Sequence, residues 1–497
     1  MSVLMLKNIL DAKITLNRQQ KIALAITAVY AVITFLLCSR HEMWGDEINV
    51  WMALRHYSFP ELLKFSSKAG NPIFFFLPLW PFVKLGCSAF FIKYFCWICS
   101  VFAVFLLNFF SPFRLITKIL ITFGAPMLYH YSVLSRCYSV LPPLMFLTAM
   151  LYPYACGQGQ PEKAKLPKNA ALILYACAIA AIACTHIITF VFAGGLAVLF
   201  FYENFYKKKN FGKAEKTAAA IMALGIITVI AQTLYALSSN KVFEANSVIC
   251  LDAVSAVKMY FSSMADAFSS SLFRGTLPSE ILANYFAWAI AVLFIAGIAL
   301  MFLRKKMFAL ITMGTFLFYV YISVTRYGEM FPYRTYISLL CMASFFWAAL
   351  NDKTCTKRTK TGIEFIAAAI MALTVPTGIL TAKADWNNNF SSAYETAMFV
   401  EKNIPDDGKS VIVSAAVPVA YYLPERTLYY GRNVPLRTIL PGMGTGINLA
   451  DFMGEYDNIY VIVSSLQKNM MEGQELVYQS AYALVPQENF CIYRIRL

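Results

Sequence analysis

Long apolar runs, separated by short polar segments, dominate the hydropathy pattern of the chain. Most of these runs are about 17–22 residues long, which is the length a helix needs to cross roughly 30 Å of hydrocarbon. Soluble proteins do not contain so many apolar runs of this length. The pattern predicts eleven membrane-spanning helices, at residues 22–38, 89–110, 117–133, 138–156, 170–184, 187–205, 217–237, 283–303, 307–323, 336–350 and 363–382.

The composition agrees with a chain that lies in lipid. Hydrophobic residues make up 59% of the 497 positions and charged residues only 14%, whereas a soluble globular protein carries about 25% charged residues. The chain therefore lacks the polar surface that water requires. We predict a polytopic α-helical membrane protein.

The net charge of +15 is not spread evenly. Lys and Arg gather in short loops between apolar runs, which is the pattern of loops that stay on the cytoplasmic side, so nucleic acid is not expected as a partner. This positive-inside rule predicts a cytoplasmic N-terminus. The compact basic loops favour a bacterial inner (plasma) membrane. The basic residues concerned are Lys7, Lys13, Arg18 and Lys21 at the N-terminus, then Arg114, Lys118, Lys163, Lys165, Lys168, Lys207, Lys208, Lys209, Lys213, Lys216, Arg304, Lys305, Lys306, Lys353, Lys357, Arg358 and Lys360.

The first predicted outer loop, residues 40–88, contains an apolar stretch at 71–86 that is too short to span. Pro72, Pro78 and Pro81 interrupt it, so we expect interfacial helices here. Counting the stretch as a span would move the basic loop at Arg114 to the outside. With eleven spans, the C-terminal part of the chain lies outside the cytoplasm.

The residues from 384 onward differ in character from the rest of the chain. Ser391–Asn403 has the pattern of an amphipathic helix, and three segments rich in β-branched and aromatic residues predict strands at Ser410–Ser414, Asn458–Ser464 and Phe490–Ile495. We therefore divide the chain into a membrane module, 1–383, and a small extracytoplasmic α/β domain, 384–497. Three glycines at 442, 444 and 446 follow a proline rather than a strand, which favours a flexible loop over a nucleotide-binding turn.

The stretch after the first span carries the most suggestive chemistry. Asp46 and Glu47 lie between Trp44 and Trp51, and carboxylates at a membrane boundary are hydrated, paired or functional. A solvated loop with interfacial tryptophans is the simpler alternative. The predicted topology brings other polar residues to the same outer depth, namely His41, His56, His130, His186, Arg136, Arg326 and Arg334. Each arginine could instead extend to lipid headgroups, Arg326 and Arg334 could pair with Glu329, and His186 could satisfy a helix end.

These residues also resemble a known family. The chain is similar to GT-C glycosyltransferases in the order of its short motifs. These motifs are Trp44-Gly45-Asp46-Glu47, the segment from Asn71, the turn Ser135-Arg136-Cys137-Tyr138-Ser139 and Thr185-His186. The likeness is to the branch of protein O-mannosyltransferases and lipid A aminoarabinose transferases. It extends over nearly the whole chain, although many members have His where this chain has Asn71.

The resemblance implies transfer of a sugar from a polyprenyl-phosphate donor to an acceptor hydroxyl on the extracytoplasmic face, with inversion. Asp46 would be the general base and Glu47 would assist it. The substrate-binding residues would be Asn71, His130, Arg136, Tyr138, His186, Arg326 and Arg334, with the arginines meeting the phosphate. The acceptor could be a lipid, a glycan or a protein.

Two questions stay open at this stage. No cofactor is predicted, because metal-ligand spacings such as HxxxH are absent, but the His, Asp and Glu inventory leaves a divalent metal conceivable. A transporter or flippase of lipid-linked glycans is the main alternative function, although such proteins usually show repeats and polar residues at mid-membrane. An oligosaccharide ligase or polymerase is a third.

Overall fold

The computed structural model describes residues 16–156, 166–209, 212–239, 252–264, 277–327, 330–431, 434–436 and 449–496. Lys7, Lys13, Lys163, Lys165 and the predicted loop at 442–446 lie outside these ranges.

Seven helices in the described ranges are long and apolar enough to cross a membrane. On the first, Val29, Val32 and Leu36 are exposed at helical spacing and form a stripe that faces outward, as expected for contact with lipid. The seven are α1 (Arg18–Arg40), α5 (Phe90–Phe110), α9 (Phe190–Phe201, continued by a π-helical turn at Tyr202–Lys207), α10 (Lys213–Ser239), α12 (Leu277–Arg304), α13 (Lys306–Ile322) and α15 (Lys357–Asn387). The total of eleven stays a prediction.

Four further helices of the described ranges belong to the bundle: α7 (Leu141–Ala155), α8 (Lys168–Ala183), α11 (Ala253–Ser263) and α14 (Pro332–Asn351). In α14, every residue from Tyr333 to Leu350 is buried. It packs against α7, α13 and α15. A helix that is buried on all sides has no lipid-facing stripe, so α14 forms the centre of the membrane core.

The predicted span at 117–133 is not one continuous helix. Helix α6 (Leu115–Phe123) ends before Gly124, and a π-helical turn follows at Pro126–His130. Pro126 has no N–H to donate to the preceding turn. Gly124 packs closely against α15, where an added Cβ would lie 2.7 Å from Thr374 Oγ1. The break therefore has a covalent cause and a packing cause.

The first outer loop forms short helices, as predicted. They are α2 (Gly45–His56), α3 (Phe59–Lys68) and α4 (Phe76–Lys84), with a 3₁₀ turn at Ile73–Phe75 before α4. Helix α4 has nine residues and contains Pro81, so it is too short to cross a bilayer. These helices lie across the end of the bundle.

The basic loops meet at the opposite end of the bundle. Lys305 forms an ion pair with Asp352, and Lys168 Nζ lies 3.2 Å from Glu215 Oε1. Glu364 accepts the Arg114 N–H at 2.9 Å. Each contact joins two loops or helix ends that the hydropathy pattern assigns to the same side. We call this the basic end of the bundle.

The C-terminal residues form a six-stranded mixed sheet in the order β3-β2-β1-β4-β6-β5. Strand β1 is parallel to β2 and β4, while β6 is antiparallel to β4 and β5. The predicted strands at 410–414, 458–464 and 490–495 are all present. The elements are α16 (Ala393–Asn403), β1 (Ser410–Ser414), α17 (Val417–Tyr421), β2 (Leu428–Gly431), β3 (Val434–Pro435), β4 (Asn458–Ser464), β5 (Glu475–Gln479) and β6 (Phe490–Arg496).

This C-terminal domain packs on the first outer loop. Helix α17 contacts α2, and the Trp51 and Tyr421 rings meet edge to face with centroids 5.2 Å apart. The Phe390 ring lies 4.5 Å from the imidazole of His41. We call this the domain end of the bundle. The start of α2 is held between the domain and the bundle, and the candidate site lies there.

Candidate active site

Asp46 lies in the first turn of α2 and forms an ion pair with Arg136 Nη1. The Asp46 side chain is 47% exposed, whereas that of Arg136 is 8% exposed. The guanidinium group of Arg136 also lies 5.8 Å from the Trp44 ring. An accessible carboxylate is therefore held by a nearly buried cation, which comes from the short turn that the sequence singled out.

Glu47 is fully buried beside Asp46 and fixes the start of α2. One carboxylate oxygen accepts the Ser135 N–H, and the other accepts the Trp44 N–H at 3.2 Å. The same oxygen lies 3.2 Å from His41 Nε2. Because its oxygens are occupied by backbone and imidazole groups, Glu47 acts as a structural anchor between α2 and the Ser135-Arg136 turn.

His41 joins Glu47 to the last long helix. Its Nδ1 lies 2.8 Å from Asp385 Oδ2, and Asp385 also accepts the Tyr129 hydroxyl at 2.8 Å. Burial alone would lower the pKa of His41, but the carboxylates of Asp385 and Glu47 raise it to about 10. A protonated imidazole donates from both nitrogens, which matches its two carboxylate partners. His41 is thus a buried cation that links α2 to α15.

A second polar group lies around the Tyr138 hydroxyl. Arg334 Nε donates to it at 2.9 Å, and His186 Nε2 lies 3.0 Å away. The Ile188 N–H donates to His186 Nδ1 at 3.1 Å, so Nε2 carries the ring proton. Burial and the guanidinium groups of Arg334 and Arg136 lower the pKa of His186 well below its ordinary value, so this imidazole is neutral.

Tyr333 connects the two polar groups. Its hydroxyl is within electrostatic reach of Arg334, Arg136 and Asp46, and its ring packs against that of Tyr138 with centroids 5.1 Å apart. The guanidinium of Arg334 lies 5.6 Å from the Tyr333 ring. The charges of both arginines therefore act on one tyrosine, and Asp46 is paired with Arg136.

Asn71 lies against the turn that contains Ser135, Arg136 and Cys137. Its side-chain oxygen lies 3.2 Å from Cys137 Sγ. The backbone on either side is held to the turn before α9, because Ile187 donates to the Gly70 carbonyl at 3.3 Å and Phe74 donates to the Cys184 carbonyl at 3.0 Å. Residues far apart in sequence are thus joined at the domain end.

One predicted binding residue, His130, is not part of this assembly. His130 is buried between the rings of Tyr129 and Tyr336, at 5.4 and 5.2 Å, and within the described ranges neither ring nitrogen has a hydrogen-bond partner. Arg326 belongs to a π-helical turn at Ser323–Tyr327, and its side chain lies outside the described part of the chain.

Three residues of the assembly were not assigned to the site from the sequence. His41 was noted only for its outer position, Asp385 follows the predicted end of the last span, and Glu488 lies in a turn of the C-terminal domain. The available signal for Asp385 was the position of an acidic residue just past the end of a span. No sequence signal pointed to Glu488. In the described ranges no group of three or more His, Cys, Asp or Glu residues is arranged to hold a metal ion.

Comparison with solved structures defines the fold. ArnT from Cupriavidus metallidurans, solved bound to undecaprenyl phosphate, superposes with a TM-score of 0.53 at 10% identity, over 95% of this chain and 97% of ArnT. The arabinofuranosyltransferase AftD from Mycobacteria matches with a TM-score of 0.36 at 14% identity, over 97% of this chain and 40% of AftD. No protein-family model and no curated protein matches the sequence. The likeness to ArnT over nearly the whole of both chains confirms the predicted GT-C-like fold.

Proposed function

We propose that this chain is an integral membrane glycosyltransferase. It would move a sugar from a polyprenyl-phosphate donor to an acceptor hydroxyl, with Asp46 as the general base. The observation that carries the proposal is the ion pair between a half-exposed Asp46 and a nearly buried Arg136. The fold shared with ArnT, a protein whose structure contains undecaprenyl phosphate, supports the class of donor.

The chemistry of transfer explains why a carboxylate and guanidinium groups would be needed together. The acceptor oxygen attacks the anomeric carbon while the bond to the phosphate oxygen breaks, and negative charge grows on the leaving phosphate. Asp46 would take the proton of the acceptor hydroxyl. Arg136, with Arg334 nearby, would stabilise the departing polyprenyl phosphate. A single displacement of this kind inverts the anomeric centre.

The resting ion pair has a consequence for the order of events. A guanidinium group has five N–H donors, and Arg136 uses Nη1 for Asp46. A phosphate that binds Arg136 competes with Asp46 for this cation, so donor binding would weaken the ion pair and free the carboxylate for the acceptor hydroxyl. We propose that the donor binds first and activates Asp46 for the acceptor.

Glu47 would serve in support rather than as a second base, because its oxygens are bound to Ser135, Trp44 and His41. Asn71, Tyr138 and His186 would shape the donor site around the two arginines. The Asn71 side chain contacts Cys137, and the Tyr138 hydroxyl contacts both Arg334 and His186.

We also propose the orientation. The N-terminus and the basic end would face the cytoplasm of a bacterial inner membrane, and the domain end would face outward. Because soluble nucleotide sugars do not reach that side, sugar transfer there requires a membrane-bound donor. Cysteines introduced at exposed Lys357 and Glu472 of a functional, cysteine-free variant should be labelled by an impermeant thiol reagent only at position 472. Labelling at position 357 alone would reverse the orientation.

The experiment that tests the function uses the purified protein with polyprenyl phosphates carrying different radiolabelled sugars, together with membrane extract. The expected result is a labelled product of inverted anomeric configuration and release of one polyprenyl phosphate per sugar transferred. Movement of the intact labelled lipid across a vesicle membrane, without a new glycosidic bond, would contradict the proposal and favour a flippase.

A further inference from the structure

The C-terminal domain reaches the candidate site through Glu488. This residue lies in a 3₁₀ turn at Pro486–Glu488 and is 7% exposed. Its Oε1 accepts the N–H of Gly45 at 2.5 Å. Gly45 is the first residue of α2, and Asp46 follows it directly. A carboxylate of one domain is therefore bound one residue away from the proposed base in the other.

Helix α2 needs acceptors from elsewhere at this end. The first turn of any α-helix has N–H groups without intrahelical partners, and Ser, Thr, Asp or Asn at the N-cap usually accepts one of them. The N-cap of α2 is Trp44, which has no side-chain acceptor. Glu47 accepts the Trp44 N–H, and Glu488 accepts that of Gly45. The missing cap is thus supplied by two glutamates, one of them from the C-terminal domain.

The residue at position 45 is adapted to this contact. A Cβ built on Gly45 would lie 2.6 Å from Glu488 Oε1 and 3.5 Å from Pro418 Cγ. Any larger residue would push the carboxylate away from the helix. Glu488 itself is held in place from its own side, because the Ser392 N–H donates to the Glu488 carbonyl at 3.1 Å.

We propose that Glu488 is a positioning residue that sets the place of Asp46 by capping the N-terminus of α2, so that the C-terminal domain completes the active site. The inference rests on the proposed function for its effect on turnover. It requires only an acceptor oxygen at the Gly45 N–H, and not a charge.

Four variants test this role. Glu488→Ala removes the acceptor, Glu488→Gln keeps an acceptor oxygen without the charge, and Gly45→Ala displaces the carboxylate by contact. Glu472→Ala removes an exposed glutamate of the same domain and is the matched control. A displacement of a catalytic group by about 1 Å can lower the rate by up to about 100-fold. We expect Glu488→Ala and Gly45→Ala to lower kcat about 10- to 100-fold with an unchanged KM for the donor.

Glu488→Gln should restore most of this rate, and the double variant Gly45→Ala with Glu488→Ala should be no slower than the slower single variant, because both changes break one contact. Equal kcat in Glu488→Ala and Glu472→Ala would overturn the proposal. So would failure of Glu488→Gln to restore the rate.

Hydrogen exchange separates this role from general unfolding and from the proposed chemistry. In Glu488→Ala, amide exchange should rise roughly tenfold at residues 44–48 and stay unchanged in β4 and β6. Faster exchange throughout the C-terminal domain would mean that Glu488 merely stabilises that domain, and would contradict positioning. If the wild type transfers no sugar, the proposed function fails while the exchange result still decides whether Glu488 caps α2.

Discussion

Replacement of His41 by Gln tests the link between the first outer loop and the membrane bundle. His41 lies between two buried carboxylates, with ring nitrogens 2.8 Å from Asp385 and 3.2 Å from Glu47, and the side chains are 0–4% exposed. Glutamine removes the positive charge but leaves one amide donor. Removing one partner of a buried charge pair costs about 3–5 kcal/mol. We expect a loss near 3 kcal/mol, because one hydrogen bond can survive.

The assay is denaturant unfolding in mixed micelles, with His56→Gln as the control, since His56 is exposed on α2. The pH dependence adds a second signature. The pKa of His41 is raised to about 10 in the folded state from an ordinary value of about 6.5. Its contribution to stability is therefore complete below pH 6.5 and is lost as the pH rises through 10.

Burial also raises the pKa values of Glu42 and Glu488, each to about 7, but both groups are present in wild type and variant. The charge of His41 also lowers the pKa of Glu42, so the difference between the two unfolding curves reports His41 together with the carboxylates that face it. This difference should be large at pH 6.5 and nearly vanish at pH 10.5. A constant difference across this range, or a free energy of unfolding equal to that of His56→Gln, would refute the account of His41 as a buried cation.

Three further predictions concern single positions. Arg136→Lys should raise the Kd for polyprenyl phosphate at least about tenfold, since lysine cannot make the paired contacts of a guanidinium group; unchanged binding in a lipid-phosphate titration would remove Arg136 from the donor site. His130→Phe should preserve turnover and alter the free energy of unfolding by less than about 1 kcal/mol. The reason is that the ring makes aromatic contacts and that neither nitrogen has a hydrogen-bond partner in the described ranges. A tenfold loss of kcat would instead show that His130 binds substrate. Gly124→Ala should lower unfolding stability by about 1–3 kcal/mol, because the new Cβ would lie 2.7 Å from Thr374 Oγ1; stability equal to that of wild type would contradict the tight packing of α6 on α15.

Local sequence features predicted the elements whose cause is local. Strands β1 and β4 begin and end where the β-branched runs do, at Ser410–Ser414 and Asn458–Ser464. The prolines in residues 71–86 correctly indicated helices too short to span. The division of the predicted span at 117–133 was missed. Gly124 and Pro126 are visible in the sequence, but the packing of Gly124 against Thr374, more than two hundred residues away, is not.

The candidate site shows the same limit. The short motifs identified Asp46 and Arg136, and the structure brings these two residues into contact. Hydropathy alone could not show that Glu47 is turned inward, because its partner His41 depends on Asp385, which follows 344 residues later in the chain. It also could not show that Glu488 caps α2, since that contact exists only after two domains have packed together. His130 has the right predicted depth but faces an aromatic interior.

The most direct test of the central claim is the rate of sugar transfer by Asp46→Asn at saturating donor, compared with Glu401→Gln on the exposed face of α16. Asparagine keeps the size of the side chain but cannot accept the acceptor's proton, and loss of a general base costs about 10²–10⁴-fold. We predict a loss in that range with donor binding retained, while Glu401→Gln matches the wild type. Transfer by Asp46→Asn at the wild-type rate would contradict the assignment of Asp46 as the base.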